Sequence, residues 1–260
     1  MLLTLSHKRN ISPLFPDTGT AMKLLRPTLG LLCLLLFAPA MAQDTVNPDP
    51  WEGLNRPIFE FNERLDQYLL KPVAQGYQAV LPDPAEKGVS NFFSNLRDAN
   101  STINAVLQGR PGGAARAGGR FLLNSTIGML GLFDVASRMG VEPYRTDFGH
   151  TLAIWGLPPG PFLMVPMLGP RTVRSGTGTV FDALTSVEVS IDEVRLRNSL
   201  FGLELIDTRA RLLKAEDLMS GDRYIFVRDA YLQQRRALVN DGVVEDDFSD
   251  FGDADWDEDF

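Results

Sequence analysis

The sequence predicts a mainly α-helical domain carrying one irregular insert rich in proline, glycine and apolar side chains. Three observations predict it. Apolar residues return every three or four positions across 54–69, 89–107 and 200–238, the spacing of helices with one buried face. A glycine- and alanine-rich patch at 109–119 (G-R-P-G-G-A-A-R-A-G-G) lets backbones approach closely. The stretch 156–170 (G-L-P-P-G-P-F-L-M-V-P-M-L-G-P) holds five prolines, three glycines and seven apolar side chains, and nothing else.

That last stretch fails as a helix. Twenty successive residues, 151–170, carry no charge, long enough in principle to cross a bilayer. Each interior proline, however, costs a helix about 3 kcal/mol and removes a backbone donor. The apolar runs 162–165 and 167–168 are split by Pro166. Bent, extended backbone follows, read as a hairpin with turns at 158–161 and 169–170. Each apolar side chain left in water would forfeit roughly 1.5–3 kcal/mol. They must face protein, membrane or an apolar ligand.

Taken from its start, residues 1–21 read as an upstream extension, neither core nor targeting signal. At Met22 a secretory signal begins: Lys23 and Arg26, then an apolar run over 29–37, then Ala40-Met41-Ala42 as the cleavage pattern. Cleavage there leaves Gln43 as the mature N-terminus. Cys33 is the only cysteine, so no disulfide framework exists. Leu32 stands before it where bacterial lipoproteins carry a small residue, so Cys33 is not read as lipidated.

The helical domain spans 43–244. Leu54, Ile58, Phe61, Leu65 and Leu69 line one face of a first helix, opposite Glu60, Glu63, Arg64 and Asp66. Lys71-Pro72 is expected to interrupt it, with a shorter helix running on to about Val80. Val89, Phe92, Phe93 and Leu96 lead another amphipathic segment towards Ile103, Val106 and Leu107. In the glycine patch, close packing outweighs a phosphate cradle, because no phosphate-loop pattern follows a strand. The ten uncharged residues 124–133 (N-S-T-I-G-M-L-G-L-F) are too short to span a membrane and read as a helix, buried or lying at a membrane interface. Residues 180–194 are ambiguous between helix and strand. A final helical pair carries Leu200, Leu203, Ile206, Leu212 and Leu213, then Ile225, Tyr231, Leu232 and Leu238. The first of the pair stops near Ser220-Gly221 and the second starts with Asp222 as N-cap.

Charge separates the tail from the domain. The chain carries a formal −8, yet residues 245–260 hold nine acids and no base. The span 43–244 is close to neutral, so the acidity belongs to a tail whose composition is that of a disordered, solvating segment. Chemistry is scarce. After residue 42 there is one histidine, His150, and no cysteine, which excludes Cys/His zinc sites and cysteine nucleophiles. No G-x-S-x-G elbow accompanies His150, which reads as a hydrogen-bonding residue. No cofactor, metal or nucleic-acid signature is present, and no enzyme is expected.

Motifs then add up. D-P-W-E-G-L-N-R at 49–56, F-E-F-N at 59–62, K-P-V-A-Q-G-Y at 71–77 and N-F-F-S-N-L at 91–96 resemble the MlaA/VacJ outer-membrane family. So do R-F-L-L-N-S-T-I-G-M-L-G-L-F-D at 120–134, D-F-G-H-T-L at 147–152, the run from Trp155 to Pro170, and Y-I-F-V-R-D-A-Y-L-Q-Q-R-R at 224–236. The resemblance covers nearly all of 49–242 in the family's order. It implies a ring of amphipathic helices embedded in the inner leaflet of the Gram-negative outer membrane, beside a trimeric porin. An amphipathic channel through the ring would pass misplaced phospholipids to a periplasmic phospholipid carrier, without catalysis. Two departures stand out. Many members are lipoproteins, whereas this signal is of the A-x-A type, and His150 and Ser175 stand where glutamine and aspartate are usual.

Such a conduit needs an apolar wall and a polar lane, since each acyl CH₂ exposed to water costs about 0.8 kcal/mol. The wall is expected from Phe92, Phe93, Leu157, Phe162, Leu163, Met164, Val165, Met167 and Leu168. Possible phosphate contacts are Arg110, Arg116 and Arg120. A porin-docking adaptor that moves no lipid, and a periplasmic lipid-binding module, are the competing readings.

Overall fold

A computed structural model describes residues 49–213 and 221–240; the leader and tail readings lie outside them. The described chain is mainly helical. Helix α1 (Glu52–Leu65) runs without a break through a π-helical turn (Asp66–Leu70) into α2 (Lys71–Val80). Lys71-Pro72 therefore does not interrupt the helix, contrary to expectation. Pro72 has no N–H to give to the preceding turn, and the ladder widens instead: the Lys71 N–H reaches back five residues to the Asp66 carbonyl.

Helix α3 (Asp83–Leu107) begins with Asp83 and Glu86, acids well placed at the positive end of a helix. Helix α4 (Pro111–Thr126) starts on a proline and lies along α3. Two of its four glycines, Gly113 and Gly118, pack closely as expected, while Gly112 and Gly119 face open space. A Cβ on Gly113 would stand 2.6 Å from the Tyr144 ring, so that contact exists only without one.

After Thr126 the helix stops, and residues 127–133 form a run of turns. Met129 and Leu130 take left-handed backbone, φ 51° and 60°, and Gly131 follows at 94°. Three left-handed residues in succession cannot continue an α-helix. The helix expected over 124–133 is thus a helix end plus an exposed apolar turn, with Ile127, Met129, Leu130, Leu132 and Phe133 all at the surface. A single-turn helix α5 (Val135–Arg138) follows, capped by the Asp134 carboxylate.

Helix α6 (Phe148–Ile154) is capped by Asp147. Strands β1 (Phe162–Val165) and β2 (Gly169–Thr172) pair antiparallel, with Phe162 opposite Thr172 and Val165 opposite Gly169. The expected hairpin is present, but its turn is at 166–168, where Met167 has φ 64°. Gly169 and Pro170 lie inside β2, a place proline can occupy because both strands are edges. The open side of β1 is met by two asparagines of α1. Asn55 accepts from the Met164 N–H at 2.8 Å and donates to the Phe162 carbonyl at 3.2 Å. Two helical turns on, Asn62 does the same for the Met167 N–H and the Val165 carbonyl.

Helix α7 (Val173–Thr185) takes the first six residues of the ambiguous 180–194 stretch, and a 3₁₀ turn (Val187–Ser190) follows it. Its start is a reciprocal box between Thr172 and Ser175. It crosses α6 so closely that a Cβ on Gly178 would fall 2.3 Å from the Gly149 nitrogen. Helices α8 (Val194–Leu212) and α9 (Arg223–Val239) form the expected final pair, the stop of the first expected near 220 lying outside the described residues. Asp222 caps α9, accepting from the Tyr224 N–H at 2.9 Å.

The core around the hairpin is Phe162, Met164 and Tyr224, packed by Ile58, Phe59, Ile225, Tyr231 and Leu232. Neighbouring elements close a circuit: α1 to β1, β2, α7, α6, α3, α8, α2 and back through the π turn. Among the described residues, no helix is long and apolar enough to cross a membrane.

Candidate functional site: an arginine-lined cavity

The sequence D-F-G-H at 147–150 places a carboxylate, a close-packing glycine and a histidine at one helix start. Around it lies a buried polar scaffold. Asp182 of α7 accepts from Asn104 at 2.9 Å, from Asn100 at 3.0 Å and from the Phe148 N–H at 3.0 Å. Thr151 donates to Asn104 at 3.0 Å, while Gln108 donates to Thr146 at 2.6 Å and to Thr151 at 2.9 Å. His150, buried, lies 3.0 Å through Nδ1 from the Thr146 hydroxyl, the hydrogen-bonding role expected of it. Burial raises the Asp182 carboxyl above the ordinary range, against the pull of these donors. The scaffold ties α3, α6 and α7 together and fixes one wall of a cavity.

That cavity holds about 850 Å³. Its lining comes from α3 (Arg97, Asn100, Ser101), from Arg110 and Arg116 around α4, and from residues 144–147. His150, Arg171, Ser175 and Thr179 add to it, and α9 closes it with Tyr231, Gln234, Arg235, Ala237 and Leu238. Six of these residues are arginines and one, Asp147, is an acid. The site is strongly cationic.

Asp147 is held on both sides. It caps α6 through the His150 N–H at 2.8 Å and takes both Arg235 nitrogens, Nη2 at 3.0 Å. Burial pushes its carboxyl up, but Arg235 and the His150 N–H together bring it below the usual carboxylate range. Arg97 donates to Glu204 at 2.6 Å. Arg145 bonds Ser94 and lies 3.5 Å from Asp98. Burial, with Arg97 and Arg120 close by, lowers the Arg145 guanidinium below its ordinary value. Arg110 reaches the Tyr144 hydroxyl at 3.4 Å. Arg171 donates to the neighbouring Pro170 carbonyl at 2.6 Å. Ser175, which replaces the expected aspartate, is 2.6 Å from the Tyr231 hydroxyl and links α7 to α9 without adding charge.

The structure divides the residues named from sequence. Arg110 and Arg116 line the cavity; Arg120 does not. Arg120 is 1% exposed and ion-paired to Asp98 and Asp134, both at 3.2 Å. It also bonds Ser137 and the Val141 carbonyl, so its donors are taken and no phosphate can reach them. Phe93, Phe162 and Met164 are likewise enclosed in protein, at 0%, 0% and 3% exposure. They are core, not wall, because their side chains point inward from α3 and from the buried face of β1. Phe92, Leu157, Leu163 and Val165 are half-buried, and Met167 and Leu168 are exposed at the hairpin tip. None of these apolar residues lines the cavity. Sequence reasoning missed Arg97, Arg145, Arg171 and Arg235. They are scattered over α3, the 141–147 loop, β2 and α9, and no local pattern joins them.

Fold and site together define a class: a helical domain with no spanning helix among its described residues, with apolar turns outside and a cationic cavity within. The family model described as MlaA lipoprotein matches residues 47–238, and the chain belongs to that family. The intermembrane phospholipid transport system lipoprotein MlaA of Shigella flexneri is 36% identical over 223 residues, covering 84% of this chain and 88% of its own. Its namesake from Escherichia coli K12 is 35% identical over the same shares. A solved structure described as the structural basis for maintenance of bacterial outer membrane lipid asymmetry matches with a TM-score of 0.65. It is 40% identical and covers 74% of this chain and 99% of its own.

Proposed function

We propose that this chain is a passive phospholipid conduit of the Gram-negative outer membrane. It takes misplaced phospholipids from the outer leaflet and hands them to a periplasmic lipid carrier, preserving lipid asymmetry. The names of its relatives support the reading, and one structural observation carries it. A large cavity lined by arginines sits inside a domain whose outer turns are apolar, the pairing a two-part molecule demands: fixed cations for the phosphate, apolar surface for the chains. The protein sits at the periplasmic face beside a trimeric porin and performs no covalent chemistry. Export uses the cleavable signal ending at Ala42 and leaves Cys33 unlipidated, although the relatives are named lipoproteins.

The test is a strain lacking the gene. Restoring the wild-type chain is expected to clear phospholipid from the outer leaflet. Arg116→Glu, which reverses an exposed charge at the cavity, is expected to fold, bind porin and leave the phospholipid there. Leu168→Asp at the hairpin tip examines the apolar wall in the same strain. Met164→Asp is unsuitable, since Met164 is core. Normal outer-leaflet lipid with no copy of the gene would sink the proposal.

A further inference from the structure

Within the cavity, charge is compensated unevenly. Its one lining acid, Asp147, is already engaged by Arg235 and by the start of α6. Arg97 has Glu204, and Arg145 shares Asp98 with Arg120. Two lining arginines have no carboxylate among the described residues. Arg116 is exposed and carries no ion pair, and Arg171 has only the Pro170 carbonyl on Nη1 while its Nε is buried without a partner. These two approach from different elements, α4 and β2, so the excess is a property of the cavity and not of one helix.

A phospholipid headgroup entering such a space is sorted by what it carries besides phosphate. Every phospholipid brings a phosphate that an arginine can receive, often by two parallel hydrogen bonds. A zwitterionic headgroup also brings an ammonium, and the lining offers it no free carboxylate. It would sit among guanidinium groups in a partly enclosed site, where charges interact far more strongly than in water. A glycerol headgroup brings hydroxyls instead, which Thr179 and Gln234 can meet. The hydroxyl is acceptable where the ammonium is repelled. The depressed guanidinium of Arg145 is consistent with this excess of positive charge, burial being its largest cause and Arg97 and Arg120 adding to it.

Resting on the conduit reading, we infer that the cavity selects phospholipids whose headgroup is net anionic, of the phosphatidylglycerol type, over zwitterionic ones of the phosphatidylethanolamine type. Arg116 and Arg171 set the preference. The remaining arginines hold the phosphate common to both.

The test loads the full chain, in detergent, from an equimolar mixture of phosphatidylglycerol and phosphatidylethanolamine with identical acyl chains. Bound lipid is quantified by mass spectrometry. Enrichment of the anionic lipid by about tenfold is expected, the size of one modest charge interaction. Arg116→Gln and Arg171→Gln together should bring the ratio of the two bound lipids close to one, with less lipid bound in total. Arg116→Gln alone, on an exposed side chain, gives a partial loss of preference in a protein whose melting is unchanged, and so guards against misfolding of the double variant. Excess inorganic phosphate distinguishes the two sources of the same anion. An unchanged lipid ratio assigns the site to the headgroup, and loss of the preference to phosphate alone overturns the assignment. Equal retention of both lipids by the wild type overturns the selectivity and leaves the conduit standing. Retention of neither lipid would fail the conduit itself, and the selectivity with it.

Discussion

Residues 127–133 and 162–168 are both seven-residue uncharged runs, I-G-M-L-G-L-F and F-L-M-V-P-M-L, and the protein holds them by opposite means. The second turns Phe162 and Met164 into the core against Tyr224, and its open strand edge is matched by Asn55 and Asn62. The first leaves its large side chains outside, Leu130 at 70% exposure. It is tethered at its end by polar groups. Asp134 bonds Ser137 and Arg120, and Asn124 accepts from the Ala136 N–H at 2.9 Å. Nearly equal apolar content thus yields one anchored strand and one surface turn. What differs is alternation. A period of two lets half a strand's side chains go inward together. The glycines and left-handed residues of 127–133 give no such face.

The largest effect separates the two directly. Phe162→Ala removes a fully buried ring and is expected to cost about 3–5 kcal/mol in urea unfolding. Leu130→Ala should change stability by no more than about 0.5 kcal/mol, as exposed substitutions do. Equal losses would mean that the turn is packed after all, and the contrast would collapse.

The same contrast explains what could be read from the residues alone. The helices were legible because periodicity reports an apolar face, even though Leu54, Phe61, Leu69, Ile103 and Val106 of those faces lie exposed and not in the core, and the Asp222 cap because its chemistry is local. The hairpin was legible from its prolines, though not its turn, since Pro170 is acceptable only on an edge that the fold creates. Helix α7 was hidden for a similar reason. Residues from 180 onward read as helix or strand until Gly178 is seen lying against Gly149 of α6. Arginines were least legible of all. Arg116 and Arg120 stand four residues apart on α4, yet one lines the cavity and the other is locked inside. The difference lies in Asp98, 22 residues before Arg120, and Asp134, 14 after it, and only the packing of α4 on α3 makes them partners.

An ionic tether should respond to acid where an apolar one does not. Burial pushes the Asp134 carboxyl up, but hydrogen bonds from Ser137 and then Arg120 hold it at about 2, below its ordinary value. A depressed carboxylate adds stability that is fully present above its unfolded pKa, near 4, and is lost as the pH falls through the folded value. The shift corresponds to roughly 2 kcal/mol, lost between about pH 5 and pH 2. Asp98, across Arg120, is displaced upward by burial and does not share this window. Unfolding measured down that range should therefore fall more steeply for the wild type than for Asp134→Asn. Parallel curves would show that Asp134 does not hold the turn. Phe162→Ala should lower both ends of the wild-type curve equally.

The smallest effect concerns what the two runs share. Met129 in the turn and Met167 at the hairpin tip both have left-handed backbone, φ 51° and 64°, and both are largely exposed. For a residue with a Cβ that conformation costs roughly 1–2 kcal/mol. Glycine relieves it but adds freedom to the unfolded chain, taking back about 0.4–1 kcal/mol. Met129→Gly and Met167→Gly are each expected to raise stability by about 0.5 kcal/mol, measured by thermal unfolding with both variants side by side. Agreement between them would mean that strain is common to the two runs and that their difference lies wholly in the anchors. A gain at Met129 with a loss at Met167 would show the opposite. The hairpin tip would then draw stability from its side chain as well as from Asn62, and the anchored run would extend to its very end.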